Sequence, residues 1–240
     1  MHDLTEGSIP THTIRAGVSA VNAVQFIVMA LTQALGVGTM VLALAAPVAA
    51  AQTPTPLERA ILDETNLART SPAHYASYLE RLLPWFGGDT LRYPGSSVAI
   101  LTYEGADAVR EAILFLRLQE PVPALTWADG LWRASRDHAQ DQGQSGGTGH
   151  VGGDGSTLDK RIERYGRWLE TAAENIDYGS ATARDVVISL IVDDGVAGRG
   201  HRTNIFKTAL RVMGAACGPH PHYRQLCVID YAGGFEERAP

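Results

Sequence analysis

Cysteine is scarce in this chain of 240 residues: Cys217 and Cys227 are the only two, which excludes a disulfide-dense scaffold. Basic runs are missing and the formal net charge is −6, which argues against a nucleic-acid surface. No His-Glu-x-x-His occurs, so the helical zinc-protease motif is excluded. Gly152-Gly-Asp-Gly-Ser156 superficially suggests a phosphate cradle, but it lacks the lysine and the strand–loop–helix frame of a P-loop. Ser156 and Ser189 have no histidine placed to activate them. After residue 52 no apolar stretch is long enough to cross a membrane.

Charge is absent from one segment altogether. Between Arg15 and Glu58 there is no Asp, Glu, Lys or Arg, and Ala, Val, Leu and Gly dominate. Small residues at Ala49 and Ala51 suit signal-peptidase cleavage before Gln52. The rival is an uncleaved anchor, since Val18 to Leu44 is long enough to span a bilayer. Either way, residues from Thr53 onward are expected outside the cytoplasm. The expected division is residues 1–51 as signal peptide or anchor, 52–56 as a stiff Pro-containing linker, and 57–236 as one folded domain.

Within that domain Thr55-Pro56 forms an N-cap and first helical residue, and Leu57, Ile61, Leu62 and Leu67 predict a helix stopping before Ser71-Pro72. Further helices are expected over His74–Leu83, Ala106–Gln119, Gly130–Gln142, Leu158–Tyr165 and Ala181–Val192. Pro84 to Tyr103 reads as an irregular insertion, and Gly143 to Ser156 as a glycine-rich loop. The C-terminal third turns to strands, giving an α+β class with a small antiparallel sheet between helices. Arg211–Ala216 and Val228–Ala232 read as a hairpin that would bring Cys217 and Cys227 together. An exported protein would oxidise them; the alternative is two unpaired thiols on neighbouring strands.

Two Gly-His pairs, Gly149-His150 and Gly200-His201, bracket Ala173-Glu174-Asn175-Ile176. Imidazoles and carboxylates bind divalent metals and move protons near neutral pH, so one shared cleft is the first inference. Glu174 and Asn175 also admit a purely structural role, bracing the cleft through backbone hydrogen bonds. His138, in the middle of a helix, reads as a packed or surface residue, and His220-Pro-His222 as a solvated hairpin tip.

These fragments, with Asn66-Leu-Ala-Arg-Thr-Ser-Pro72, Leu125-Thr-Trp-Ala-Asp-Gly-Leu131, His138-Ala-Gln-Asp141, Arg161-Ile-Glu-Arg-Tyr-Gly166, Gly200-His-Arg-Thr-Asn-Ile205 and Cys227-Val-Ile-Asp-Tyr-Ala232, follow one another in a telling order. From about Pro56 to Phe235 the chain resembles the CAP superfamily: cysteine-rich secretory proteins, antigen 5, plant pathogenesis-related proteins and exported bacterial SCP-like members. The resemblance implies an α-β-α sandwich with a cleft holding two His and two acids. By motif, His150, Glu174 and His201 are three of them. The fourth is Asp193 or Asp194, where the family often has Glu.

The expected function is an exported, cleft-based binding module. A divalent cation such as Zn²⁺ would sit at His150 and His201, with a carboxylate or water completing its shell. No organic cofactor is expected. The resemblance implies a lipid, a sterol or an extracellular protein as partner. The alternatives are a metal-dependent hydrolase with Glu174 as general base, and a structural envelope protein with a vestigial cleft.

Overall fold

The computed structural model describes residues 52–238, so the apolar N-terminal segment lies outside the described residues. Among those described, no helix is long and apolar enough to cross a membrane.

The first helix, α1 (Pro56–Thr70), starts at the expected cap: Thr55 accepts from the Glu58 amide, and the Glu58 carboxylate answers the Thr55 amide at 2.6 Å. Its buried face runs through Ile61, Thr65, Ala68 and Arg69, while Leu57, Leu62 and Leu67 are only partly covered. Arg69 takes an inward position because its guanidinium is spent on the carbonyls of Pro123, Ile205 and Leu210. After α2 (Pro72–Glu80) and a single 3-10 turn, the expected irregular insertion folds as three two-residue strands, β1 (Phe86–Gly87), β2 (Thr90–Leu91) and β3 (Ile100–Leu101). There follow α3 (Ala106–Leu118), β4 (Thr126–Trp127), α4 (Asp129–Ser145), α5 (Leu158–Glu163) and β5 (Gly166–Tyr178). The chain ends with α6 (Ala183–Val192), α7 (Gly200–Phe206), β6 (Val212–His220) and β7 (Arg224–Glu237).

The main sheet has the order β4-β6-β7-β5. It is antiparallel except for the short pairing of β4 with β6, which is parallel. Alternation along β7 divides the core. Cys227, Ile229 and Tyr231 join the layer of α1, α2, α3, α6 and α7, whereas Leu226, Val228 and Ala232 meet α4 and α5. The result is an α-β-α sandwich. The helix α4 lies so close to β6 that a Cβ on Gly214 would come within 2.0 Å of the Trp132 amide nitrogen.

The hairpin β6–β7 is the expected one, and Cys217 and Cys227 occupy directly opposed register positions joined by a disulfide. Its tip departs from expectation. His220 is buried, its Nε2 donating to the Gly147 carbonyl while its Nδ1 accepts from the amides of His222 and Tyr223. Aromatic neighbours Tyr178 and Tyr223 exclude water from the ring, and only His222 is exposed as expected.

Candidate functional site

His150 follows the glycine-rich segment behind α4, where Gly149 has a φ of 95° that favours glycine. Four side chains suspend this segment. His138 and Gln142 of α4 hold the Gly149 carbonyl, the Tyr178 hydroxyl accepts from the Gly149 amide, and His220 takes the Gly147 carbonyl. His138 is thus a packed residue. Burial lowers its pKa and keeps the ring neutral.

The strand β5 carries the Ala-Glu-Asn-Ile segment, and its alternation separates two tasks. Glu174 faces α4 and α5: its Oε1 meets His150 Nδ1 at 2.8 Å and its Oε2 accepts from Arg161 at 2.6 Å. Asn175 points to the other face, where its amide donates to the His201 carbonyl and its Oδ1 accepts from Asn204. Glu174 therefore reaches one histidine through its side chain, and Asn175 reaches the other through backbone.

His201 lies in the first turn of α7. Asp193, the C-cap of α6, has a left-handed backbone (φ 54°) that turns its carboxylate away from the helix it ends. Its Oδ1 meets His201 Nδ1 at 2.6 Å and its Oδ2 accepts from the His201 amide at 2.9 Å. The conflict between an acid and a helix C-terminus is resolved because a second helix start receives the charge. Asp194 points elsewhere: its oxygens accept from the Tyr103 and Glu104 amides, tying the end of the insertion, just before α3, to the turn after α6. The fourth member of the constellation is accordingly Asp193.

The two rings face each other with centroids 6.4 Å apart. Their acids are buried, while the side chains of His150 and His201 retain 56% and 24% of their exposure, so the histidines are open to solvent. Burial opposes ionisation of Glu174, but the His150 hydrogen bond and the Arg161 charge outweigh it and lower the pKa. Neither Nε2 has a hydrogen-bond partner among the described residues. Also among the described residues, no three His, Cys, Asp or Glu side chains converge as metal ligands do. The atoms left without a protein partner among the described residues are the two imidazole Nε2 atoms, with the acids bonded to Nδ1 behind them.

The site is an open face. A cavity of about 480 Å³ lies elsewhere, lined by Thr55, Glu58, Trp132, Arg136 and Cys217, and includes none of the four residues. Arg161, unnoticed as a functional residue from the sequence, also holds the carbonyls of His150 and Ser156 through its Nη1. Its place four residues before Tyr165 in the Arg161-Ile-Glu-Arg-Tyr-Gly166 motif was the available signal. One further spelling, Gly143-Gln144-Ser145-Gly146-Gly147, fits a nucleophile elbow. Ser145, however, ends α4 and donates its hydroxyl back to the Asp141 carbonyl, so the strained strand-to-helix turn is missing.

The molecule is thus an α-β-α sandwich that carries two acid-backed histidines on an open face. The sequence pattern of the CAP family, the cysteine-rich secretory protein family, matches residues 110–231, and the chain belongs to that family. No curated protein matches it. Among solved structures it is similar to an extracellular protein containing an SCP domain from Bacillus anthracis str. Ames, at 17% identity and a TM-score of 0.38, over 52% of this chain and 38% of that one. It is also similar to an outer surface protein of Borrelia burgdorferi, at 17% identity and a TM-score of 0.40, over 55% of this chain and 90% of that one. The chain thus spans well under half the length of the Bacillus protein.

Proposed function

We propose that this protein is an exported CAP-domain binding module that holds a divalent cation, such as Zn²⁺, between His150 Nε2 and His201 Nε2. One observation carries the reading: both imidazoles are bound at Nδ1 by buried carboxylates, while neither Nε2 meets a partner among the described residues. Such backing fixes the tautomer with Nδ1 protonated and leaves Nε2 as the donor atom for a metal. A bound cation would supply Lewis acidity and a fixed positive charge on an open face. Water, rather than a protein carboxylate, would complete its shell, because Glu174 and Asp193 each have both oxygens engaged.

The same engagement counts against Glu174 as the general base of a hydrolase, since a base needs a lone pair facing the water it activates. Exposed Val151, next to His150, gives apolar surface beside the pair. That surface supports a lipid, sterol or extracellular protein as the partner. Export is supported by the Cys217–Cys227 disulfide, which persists in oxidising compartments.

Zinc titration calorimetry on the chelator-stripped full chain, beside the His150→Ala, His201→Ala double variant, is the direct test. One binding event lost in the variant is the expected result. Absence of binding by the parent chain would overturn the cation site and favour a vestigial cleft.

A further inference from the structure

Behind the histidines lies a second carboxyl group. Asp230 on β7 is the register partner of Glu174 on β5 and of Gly214 on β6, so its side chain shares the face of Glu174 toward α4. It is fully buried, and neither oxygen accepts a hydrogen bond from any donor among the described residues. Glu174 stands across the strand pair, Arg161 reaches in from α5, and Ser135 packs from α4 with its hydroxyl given to the Gly214 carbonyl.

Charge counting decides its state. The cation beside Asp230 is Arg161, and it already answers Glu174 in a pair whose side chains are each 2% exposed. A second carboxylate there would share one guanidinium with Glu174 and could draw only on the Ser135 hydroxyl besides, too little to offset its desolvation. A protonated carboxyl instead brings its own donor, and Glu174 is the acceptor it meets.

We propose that Asp230 stands in the native protein as a neutral carboxylic acid that donates its O–H to Glu174, making it a positioning residue for the carboxylate behind His150. Glu174 then receives three donors, from His150, Arg161 and Asp230, and its orientation toward the ring is fixed from below as well as from the side. Burial and the neighbouring Glu174 charge both hold the Asp230 proton on, in agreement with this arrangement. The assignment rests on geometry beneath the site and does not require that the histidines bind a metal.

Infrared difference spectroscopy on the full chain at neutral pH tests it, comparing the parent with Asp230→Asn. The carbonyl stretch of a protonated carboxyl is expected in the parent and lost in the variant; its absence from the parent would overturn the proposal. The positioning role has its own readout, the His150 Nδ1–H proton resonance. Asp230→Asn keeps a neutral donor toward Glu174 and should preserve that resonance. Asp230→Leu removes the donor and should shift or broaden it while the circular dichroism spectrum stays native. An unchanged resonance in a folded Asp230→Leu protein would show that Glu174 needs no support from below. If the Leu variant fails to fold, the infrared comparison and the Asn variant still decide the matter. A protein that binds no zinc but shows the infrared band would remove the cation site and leave this inference standing.

Discussion

Asp193 and Asp194 are adjacent acids with separate roles. The left-handed turn at Asp193 sends one carboxylate to His201, and the next residue points to the start of α3. We expect Asp193→Ala to weaken zinc binding by about 10- to 100-fold, the usual effect of removing an orienting partner. Asp194→Ala should leave zinc affinity unchanged and instead loosen the insertion, and calorimetry on both variants separates the two. Asp177 is a different case. Burial is the largest influence on it and pushes it up to about 6, against hydrogen bonds from Ser189 and Ser180. The folded state therefore holds a proton that the unfolded chain releases near pH 4, so stability falls as pH rises from about 4 to about 6 and then levels off. That decline, worth about 3 kcal/mol, should vanish in Asp177→Asn when urea unfolding is followed across the range. His150, Glu174 and His201 were legible because each sits in a distinctive short motif. Between Asp193 and Asp194 the sequence could not choose, since a one-residue difference in backbone handedness decides which carboxylate turns back.

At the scale of elements, helices were the readable part. The cap at Thr55 and the periodic apolar positions of α3 and α6 are local signals, and the helices formed where those signals lie. The strand β5 was not readable. Glu170, Ala172, Ala173, Glu174, Asn175 and Asp177 are poor strand formers, and the segment bulges between Leu169 and Ala172 with Glu170 at a φ of 65°. Pairing with β7 along most of its length overrides that preference, as β propensity depends on neighbours more than on the residue itself. The close approach of α4 to β6 is likewise a pairwise fact. Gly214→Ala would force a methyl group into the backbone at Leu131 and Trp132, and should cost about 3 kcal/mol in chemical denaturation, the upper end for overpacking.

For the molecule as a whole, the disulfide closes the hairpin that carries both Asp230 and the buried His220. Replacing both cysteines by serine should lower stability by roughly 2.5–3 kcal/mol, as the chain-entropy account gives for so short a loop, measured by urea unfolding with and without reductant. The N-terminal half of α3 is fastened to the start of α7 by Arg199 and Arg202, which engage Glu104 and Glu111. Family, fold class, most helices and the cysteine pairing were anticipated from short-range patterns, their order along the chain and the resemblance they carry. The roles of the cleft residues were not. Glu174 is a buried orienting group, His220 supports a loop far away in sequence, and Asp230 lies under the site, because burial and hydrogen-bond saturation depend on atoms that distant segments bring together.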